Sequence, residues 1–412
     1  MPKPIKRILI YSHDSFGLGH LRRCMTIANY LVEQNKNLTI LILTGSPIIG
    51  RFDFKTRVDF VRIPGVIKKR NGNYTALQLH LNIADTLRLR EEIIRNTALS
   101  FDPDLFIVDK EPLGLRGEVK STLEILNAHK TPCVLGLRDI MDDPDLLEPE
   151  WERKKAIPAL CDLYQAIWVY GLLQICDPMD GLNMPKSVID KTHYTGYLHR
   201  HIPTQSYETN LSYKTKSPYF LVTPGGGGDG ILMVDWVLKA YEHNPNINHP
   251  ALIVLGPFMK SKHQIAFEKR AKKLPQIEII RFHPQMESLY QNAIGVVAMG
   301  GYNTFCEILS FNKRALILPR TKPRLEQMLR AQRASTLGLV SFLDPEQQQD
   351  SHVMAQALCE LPQKRLPSEC FIPNLLDGLK NVNVLQRAIL NAKDTDSPSH
   401  SHISRLNAKV KA

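Results

Sequence analysis

Apolar runs that do not alternate with polar residues recur along this chain. The first half contains "RILIYS", "LTILILT", "PDLFIVD", "TPCVLGL" and "QAIWVYG"; the second contains "PYFLVTP", "PALIVLG", "IEIIRF", "GVVAMG" and "RALILP". A strand that is apolar at every position is buried on both faces, which is the condition of a parallel sheet. Helical periods lie between the runs. They cover Leu21–Gln34 (with Ile27, Ala28 and Leu31 on one side), 76–99, 116–129, 231–243 and 260–274, and further helices start at Asn303 and Leu325. This alternation predicts α/β architecture with doubly wound parallel sheets.

At 412 residues the chain exceeds one ordinary core, so two domains are expected. Residues 1–200 read as one Rossmann-like domain. Residues 201–217, polar and proline-containing, read as a linker. Residues 218–373 read as a second Rossmann-like domain, 374–392 as a closing helix, and 393–412 as a disordered polar tail. Two similar halves predict a cleft. In open parallel sheets ligands gather beyond the carboxyl ends of strands, so the loops directly after strands carry the chemistry.

The net charge is +11. Residues 1–200 hold 27 Lys and Arg against 24 Asp and Glu, leaving +3, and the remainder holds 25 against 17, leaving +8. That balance suits anionic ligands, but no arginine-rich or RNA-binding signature accompanies it, so nucleic acid is not expected. Seven cysteines show neither CxxC nor Cys/His metal spacing, which reads as reduced thiols in the cytoplasm. No signal peptide or membrane-spanning run is present, and peripheral membrane contact stays open.

Three loops stand out. "SFGLGHLRRC" places Gly17, Gly19 and His20 where a strand hands over to a helix, with Arg22 and Arg23 behind them. The helix start favours an anion, His20 suits a general base, and one of the two arginines is expected to contact phosphate. The rival reading is a glycine turn with a packed histidine. "TPGGGGDG" sets Gly225, Gly226, Gly227 and Gly228 between strand and helix. Such a run is best explained by a backbone that wraps a diphosphate. "MGGYNTFCEIL" brings Gly300, Gly301, Asn303, Thr304 and Glu307 to another strand end. Asn303 and Thr304 can each cap the helix. Glu307 suits two ribose hydroxyls, or a capping box with Thr304. Beyond the next strand, Glu326 and Gln327 open a helix, and Arg330 reads as a phosphate partner or a solvated residue.

Asp109 and Glu111 follow a strand and are rival bases, with a structural ion pair of either to Arg116 equally expected. Arg138 and Asp139 are placed along an acceptor site. Asp142, Asp143 and Asp145 read as a solvated turn rather than a metal site. His283 follows a strand and reads as a nucleobase contact or a satisfied loop histidine. No metal and no cofactor are expected.

Taken together, the loops resemble the GT-B glycosyltransferases, specifically the family 28 branch, over most of residues 5–340. "GGYNTFCEIL…ALILPR…EQ..RA" is the strongest part, and "GLGHLRRCMTIANYL" is similar to that family's Gly-rich loop and histidine. The opening is equally similar to that of the UDP-sugar hydrolase of pseudaminic acid synthesis. The resemblance implies two Rossmann-like domains facing a cleft. It implies a UDP-sugar held by Gly225–Gly228, Gly300–Thr304, Glu307, Glu326 and Gln327, with Gly17, Gly19 and His20 on the acceptor side. Inverting, metal-independent transfer of a hexose or N-acetylhexosamine would follow. The acceptor would be lipid-linked, in cell-envelope polysaccharide synthesis at the inner membrane face. A nucleotide-sugar hydrolase or epimerase is the alternative, and a non-enzymatic nucleotide-sugar sensor is a third.

Overall fold

The apolar runs form two separate parallel sheets in the computed structural model, which describes residues 5–13, 19–68, 73–202, 218–226, 228–346 and 350–394. The chain divides into unit 1, Met1–Leu198 with Asp377–Ala412, and unit 2, His199–Leu376. Most of the expected linker (203–217) and most of the expected tail (395–412) lie outside the described residues, as do Gly17 and Gly227.

Unit 1 contains β1 (Lys6–Ser12), β2 (Leu38–Thr44), β3 (Val58–Arg62), β4 (Val66–Lys68), β5 (Tyr74–Ala76), β6 (Leu105–Asp109), β7 (Cys133–Arg138), β8 (Ala166–Tyr170) and β9 (Thr192–Tyr194). Seven of these form a sheet in the order β3-β2-β1-β6-β7-β8-β9, while β4 and β5 pair antiparallel. Its pairs are all parallel, with Ile8 opposite Ile40 on one side and Leu105 on the other. Every residue of β6 and β8 is buried, as their unbroken apolar runs require. The helices are α1 (Gly19–Gln34), α2 (Ile83–Phe101), α3 (Lys120–Ala128), α4 (Pro144–Arg153), α5 (Ala156–Leu163) and α6 (Lys186–Ile189).

Two helical expectations are corrected. The helix expected from Ala76 begins at Ile83, because Tyr74–Ala76 pair with β4 and Asn82 caps the helix by accepting from the Asp85 N–H at 2.8 Å. The helix expected from Arg116 begins at Lys120. Arg116 and Gly117 have φ of 51° and 91°, left-handed values that no helix accommodates.

Unit 2 repeats the plan with β10 (Tyr219–Thr223), β11 (Ala251–Val254), β12 (Ile277–Ile280), β13 (Ala293–Ala298), β14 (Ala315–Ile317) and β15 (Ser341–Phe342). They are parallel and ordered β12-β11-β10-β13-β14-β15. Its helices are α7 (Ile231–His243), α8 (Ser261–Ala271), α9 (Met286–Asn292), α10 (Tyr302–Ser310), α11 (Glu326–Thr336) and α12 (Ser351–Glu360). The closing helix, α13 (Gly378–Asp394), belongs to unit 1. Its Asn381 amide donates to the Thr195 carbonyl at 2.8 Å, and Asn383 accepts from Asn35 at 2.9 Å. Gly378 is needed there, since a Cβ would lie 2.5 Å from the Gly196 carbonyl oxygen.

In both sheets the strand order reverses direction at the first strand, between β1 and β6 in unit 1 and between β10 and β13 in unit 2. These are the switch points at which α/β sheets bind ligands. Among the described residues no helix is long and apolar enough to cross a membrane.

Candidate active site

The unit 1 switch point brings together residues 89 positions apart. His20 is the second residue of α1, and Asp109 ends β6. His20 Nδ1 lies 2.5 Å from Asp109 Oδ2. A carboxylate only accepts, so Nδ1 carries the proton and Nε2 the lone pair. Arg23 fixes the other carboxylate oxygen, donating from Nε at 2.8 Å and from Nη2 at 2.6 Å to Oδ1. Arg23 and Asp109 are buried, and His20 keeps 18% of its side chain exposed.

The electrostatics follow from this packing. Burial lowers the His20 pKa below its ordinary 6.5, against the opposing pull of Asp109. Burial alone would raise that of Asp109, but Arg23 and then His20 overcome it and hold the carboxyl well below its usual range. The site therefore pairs a neutral imidazole with a permanently ionised carboxylate. This is the arrangement in which a histidine accepts a proton through Nε2 while its partner fixes the tautomer.

Both Asp109 oxygens are thus engaged, one on His20 and the other on Arg23. The ion pair with Arg116 expected of Asp109 or Glu111 does not form; Arg116 instead lies over the Tyr74 ring at 5.5 Å. The phosphate contact expected of Arg22 or Arg23 does not fall to Arg23, whose guanidinium is committed to Asp109. Arg22 is half-buried on α1. Glu111 is buried and accepts from Lys154 Nζ at 2.7 Å, with Lys110 Nζ at 3.2 Å. Its carboxyl sits well below the usual range, because Lys110, with His13 and Lys154, outweighs burial. Asp139 is fully buried and accepts from the Tyr197 hydroxyl at 2.9 Å, so it does not line an open acceptor surface. Asp143 caps α4 by accepting from the Asp145 N–H at 3.1 Å.

His13 escaped the sequence reading. Just after β1, it is buried with its ring edge-on to His20, at a centroid distance of 5.6 Å. Its only sequence signal is its place at a strand end.

The unit 2 switch point is built from backbone. Gly225 adopts φ 74°, and Gly226 accepts from the Phe258 N–H at 2.9 Å. A Cβ on Gly230 would fall 2.0 Å from that of Pro224, and one on Gly256 would fall 2.5 Å from the Gly225 carbonyl oxygen. Gly228 is exposed. No side chain caps α7, so its first N–H groups open onto the loop.

After β13, Gly300 takes φ 75° and Gly301 is the N-cap of α10, again with no side-chain cap. This corrects the capping expectation: Asn303 and Thr304 lie inside the first turn, and the Thr304–Glu307 capping box is absent. Asn303 accepts from Arg200 Nη2 at 2.7 Å. Glu307 is buried within α10, at 1% exposure. Arg330 is not a solvated residue, since it is buried and donates from Nη1 to the Gly300 carbonyl at 2.9 Å. Glu326 is buried and accepts from Arg320 Nη2 at 2.7 Å, and Gln327 Oε1 accepts from the Arg320 N–H at 3.1 Å. Arg320 was also missed; it stands directly after "ALILP", the position the strand-end argument singles out. His283 is buried beyond β12, its Nδ1 accepting from the Gln285 N–H at 3.2 Å, and burial lowers its pKa.

Residues 226–368 match the glycosyltransferase family 28 C-terminal domain, a segment that starts inside the glycine loop. With the two switch-point sheets, that segment places a family 28-type C-terminal domain within a fold of the GT-B type. Solved structures share the two-domain architecture along nearly their whole length. The glycotransferase of kitacinnamycin is 13% identical with a TM-score of 0.60, covering 95% of this chain and 98% of that one. MurG of Acinetobacter baumannii is 12% identical with a TM-score of 0.57, covering 93% and 99%. Phytolacca americana UGT2, complexed with UDP-2-fluoro-glucose and pterostilbene, is 13% identical with a TM-score of 0.59, covering 99% and 100%. In sequence, no curated protein matches.

Proposed function

We propose that the protein transfers a hexose or N-acetylhexosamine from a nucleotide sugar, with UDP as the nucleotide, to an acceptor hydroxyl with inversion. The His20–Asp109 pair at 2.5 Å carries this reading. His20 Nε2 takes the acceptor proton, the acceptor oxygen attacks the anomeric carbon from the face opposite the nucleotide, and the bond to the diphosphate breaks. Asp109 holds the tautomer and steadies the imidazolium. The departing diphosphate is stabilised by N–H groups of the glycine loop and of the uncapped starts of α7 and α10, so the reading requires no metal. UDP-2-fluoro-glucose in the similar UGT2 structure supports the choice of UDP. Glu307, Glu326 and Gln327 are assigned to ribose and sugar hydroxyls.

The acceptor is read as lipid-linked, met at the inner membrane face; the excess positive charge after residue 200 supports an anionic surface. Absence of co-sedimentation with anionic vesicles even at low salt would remove that part alone.

The core test is turnover of UDP-sugars by His20→Ala. Turnover should fall about 10²–10⁴-fold while the UDP-induced rise in melting temperature persists. Undiminished turnover would sink the base assignment. No thermal shift with any nucleotide diphosphate sugar would sink the whole reading. Fast release of free sugar without acceptor would instead identify water as the acceptor and the protein as a hydrolase.

A further inference from the structure

An acidic residue sits where the proposed function needs an anion to bind. Asp229 lies in the glycine loop of unit 2 and is largely exposed. Its Oδ2 is 3.1 Å from Nη1 of Arg320, the residue three beyond the end of β14. The other side of that guanidinium is clamped from α11. Nη2 donates to Glu326 Oε1 at 2.7 Å, and the Glu326 side chain is only 3% exposed. The Arg320 N–H donates to Gln327 at 3.1 Å, which fixes the backbone as well. The guanidinium is therefore held firmly on its inner edge by a buried carboxylate and loosely on its outer edge by an exposed one. Exposed ion pairs are weak and exchange readily; buried ones do not.

We propose that Arg320 is the cationic partner of the donor's diphosphate and that Asp229 holds its place while the loop is empty. This rests on the nucleotide-sugar reading above. A phosphate group brings more charge and more acceptor oxygens than a carboxylate, and a guanidinium matches it better. The diphosphate takes over Nη1, and like-charge repulsion sends Asp229 into solvent. Glu326 keeps the guanidinium aimed throughout, so little side-chain freedom is lost on binding. Asp229 makes the empty loop unattractive to weakly charged anions and lowers affinity for the nucleotide itself.

Titration calorimetry on the full chain with UDP tests this, with uridine measured by competition against UDP. Asp229→Asn should tighten UDP binding by about two- to fivefold. Arg320→Ala should weaken UDP binding by about 10- to 100-fold, and uridine affinity should stay unchanged in both. The double variant should bind like Arg320→Ala alone, because the effect of Asp229 acts through Arg320. Arg320→Ala leaves a buried glutamate behind and is prone to misfold, whereas Asp229→Asn changes only an exposed side chain, so the decision falls on Asp229→Asn. Unchanged or weaker UDP binding by that variant overturns the placeholder role while leaving the donor reading intact. A wild-type protein that binds no nucleoside diphosphate overturns both.

Discussion

At the switch point of unit 1 the loops carry ionisable side chains that lock onto one another: His20 and Arg23 on Asp109, and Lys110 and Lys154 on Glu111. At the switch point of unit 2 they carry glycines whose neighbours approach too closely for any side chain, at Gly230 and Gly256. The strand order is the same in both sheets, except that unit 1 adds a seventh strand, β9, at one edge. What differs is which atoms occupy the strand ends. Side chains can be tuned in pKa and made to move a proton. Backbone N–H groups cannot titrate, but they hold an anion at fixed positions. On the proposed function, one topology supplies a proton-transfer site and an anion cradle through the groups it sets at its strand ends.

The largest test of this contrast is Arg23→Ala. It removes one partner of a buried ion pair and leaves Asp109 ionised in the core of unit 1. Thermal and urea unfolding should show a loss of about 3–5 kcal/mol. Turnover should fall in whatever remains folded, since His20 loses its fixed partner. A variant as stable as the parent would mean that Asp109 is not held ionised there. Next in size is Glu307→Gln, which keeps shape and burial but removes the charge. UDP affinity, read by calorimetry, should drop by about 1.5–3 kcal/mol; an unchanged affinity would remove Glu307 from the ribose site. Gly230→Ala should then cost about 1–3 kcal/mol of UDP affinity, because its Cβ cannot fit against Pro224 without moving the loop. Its acid pH limb of turnover should match that of the parent, as the change touches only the anion cradle.

The sheets were legible in the sequence because burial on both faces leaves a composition signature that needs no partner to be read. The glycine loops were legible for a related reason, since a run of four glycines has few structural uses. Partner choice was not legible. Arg116 was offered as the partner of Asp109 or Glu111, whereas Glu111 pairs with Lys154 and Asp109 with Arg23, 86 residues away, because β1 and β6 are neighbours in the sheet. Periodicity reports which face a residue occupies and says nothing about which strand lies beside it. The start of α10 was misread for a different reason. Asn303 and Thr304 are good caps by residue type, yet Gly301 is the N-cap, and Asn303 serves Arg200 instead. His13 and Arg320 each stand just beyond a strand, but a strand-end position alone does not say which side chain faces the site.

The smallest effect separates the two sites by pH. His20 and His13 both have folded pKa values below the ordinary 6.5, each lowered first by burial. The folded state therefore binds fewer protons than the unfolded chain. The stability contributed by the neutral rings is complete above pH 6.5 and is lost as pH falls from there through the lowered folded pKa values. Turnover follows the same sign, because the base must be neutral: kcat/KM should decline by less than about twofold from pH 8 to 6.5. Below the His20 pKa it should fall about tenfold per pH unit. Affinity for an intact UDP-sugar should not follow, because its diphosphate has no group titrating there, backbone N–H groups do not titrate, and burial keeps His283 neutral. Stopped assays of turnover and calorimetry of binding, over the same pH series, read the two sites independently. If binding lost affinity in parallel with turnover, a titrating side chain would be holding the donor, and the division between a proton-moving unit 1 and an anion-holding unit 2 would fail.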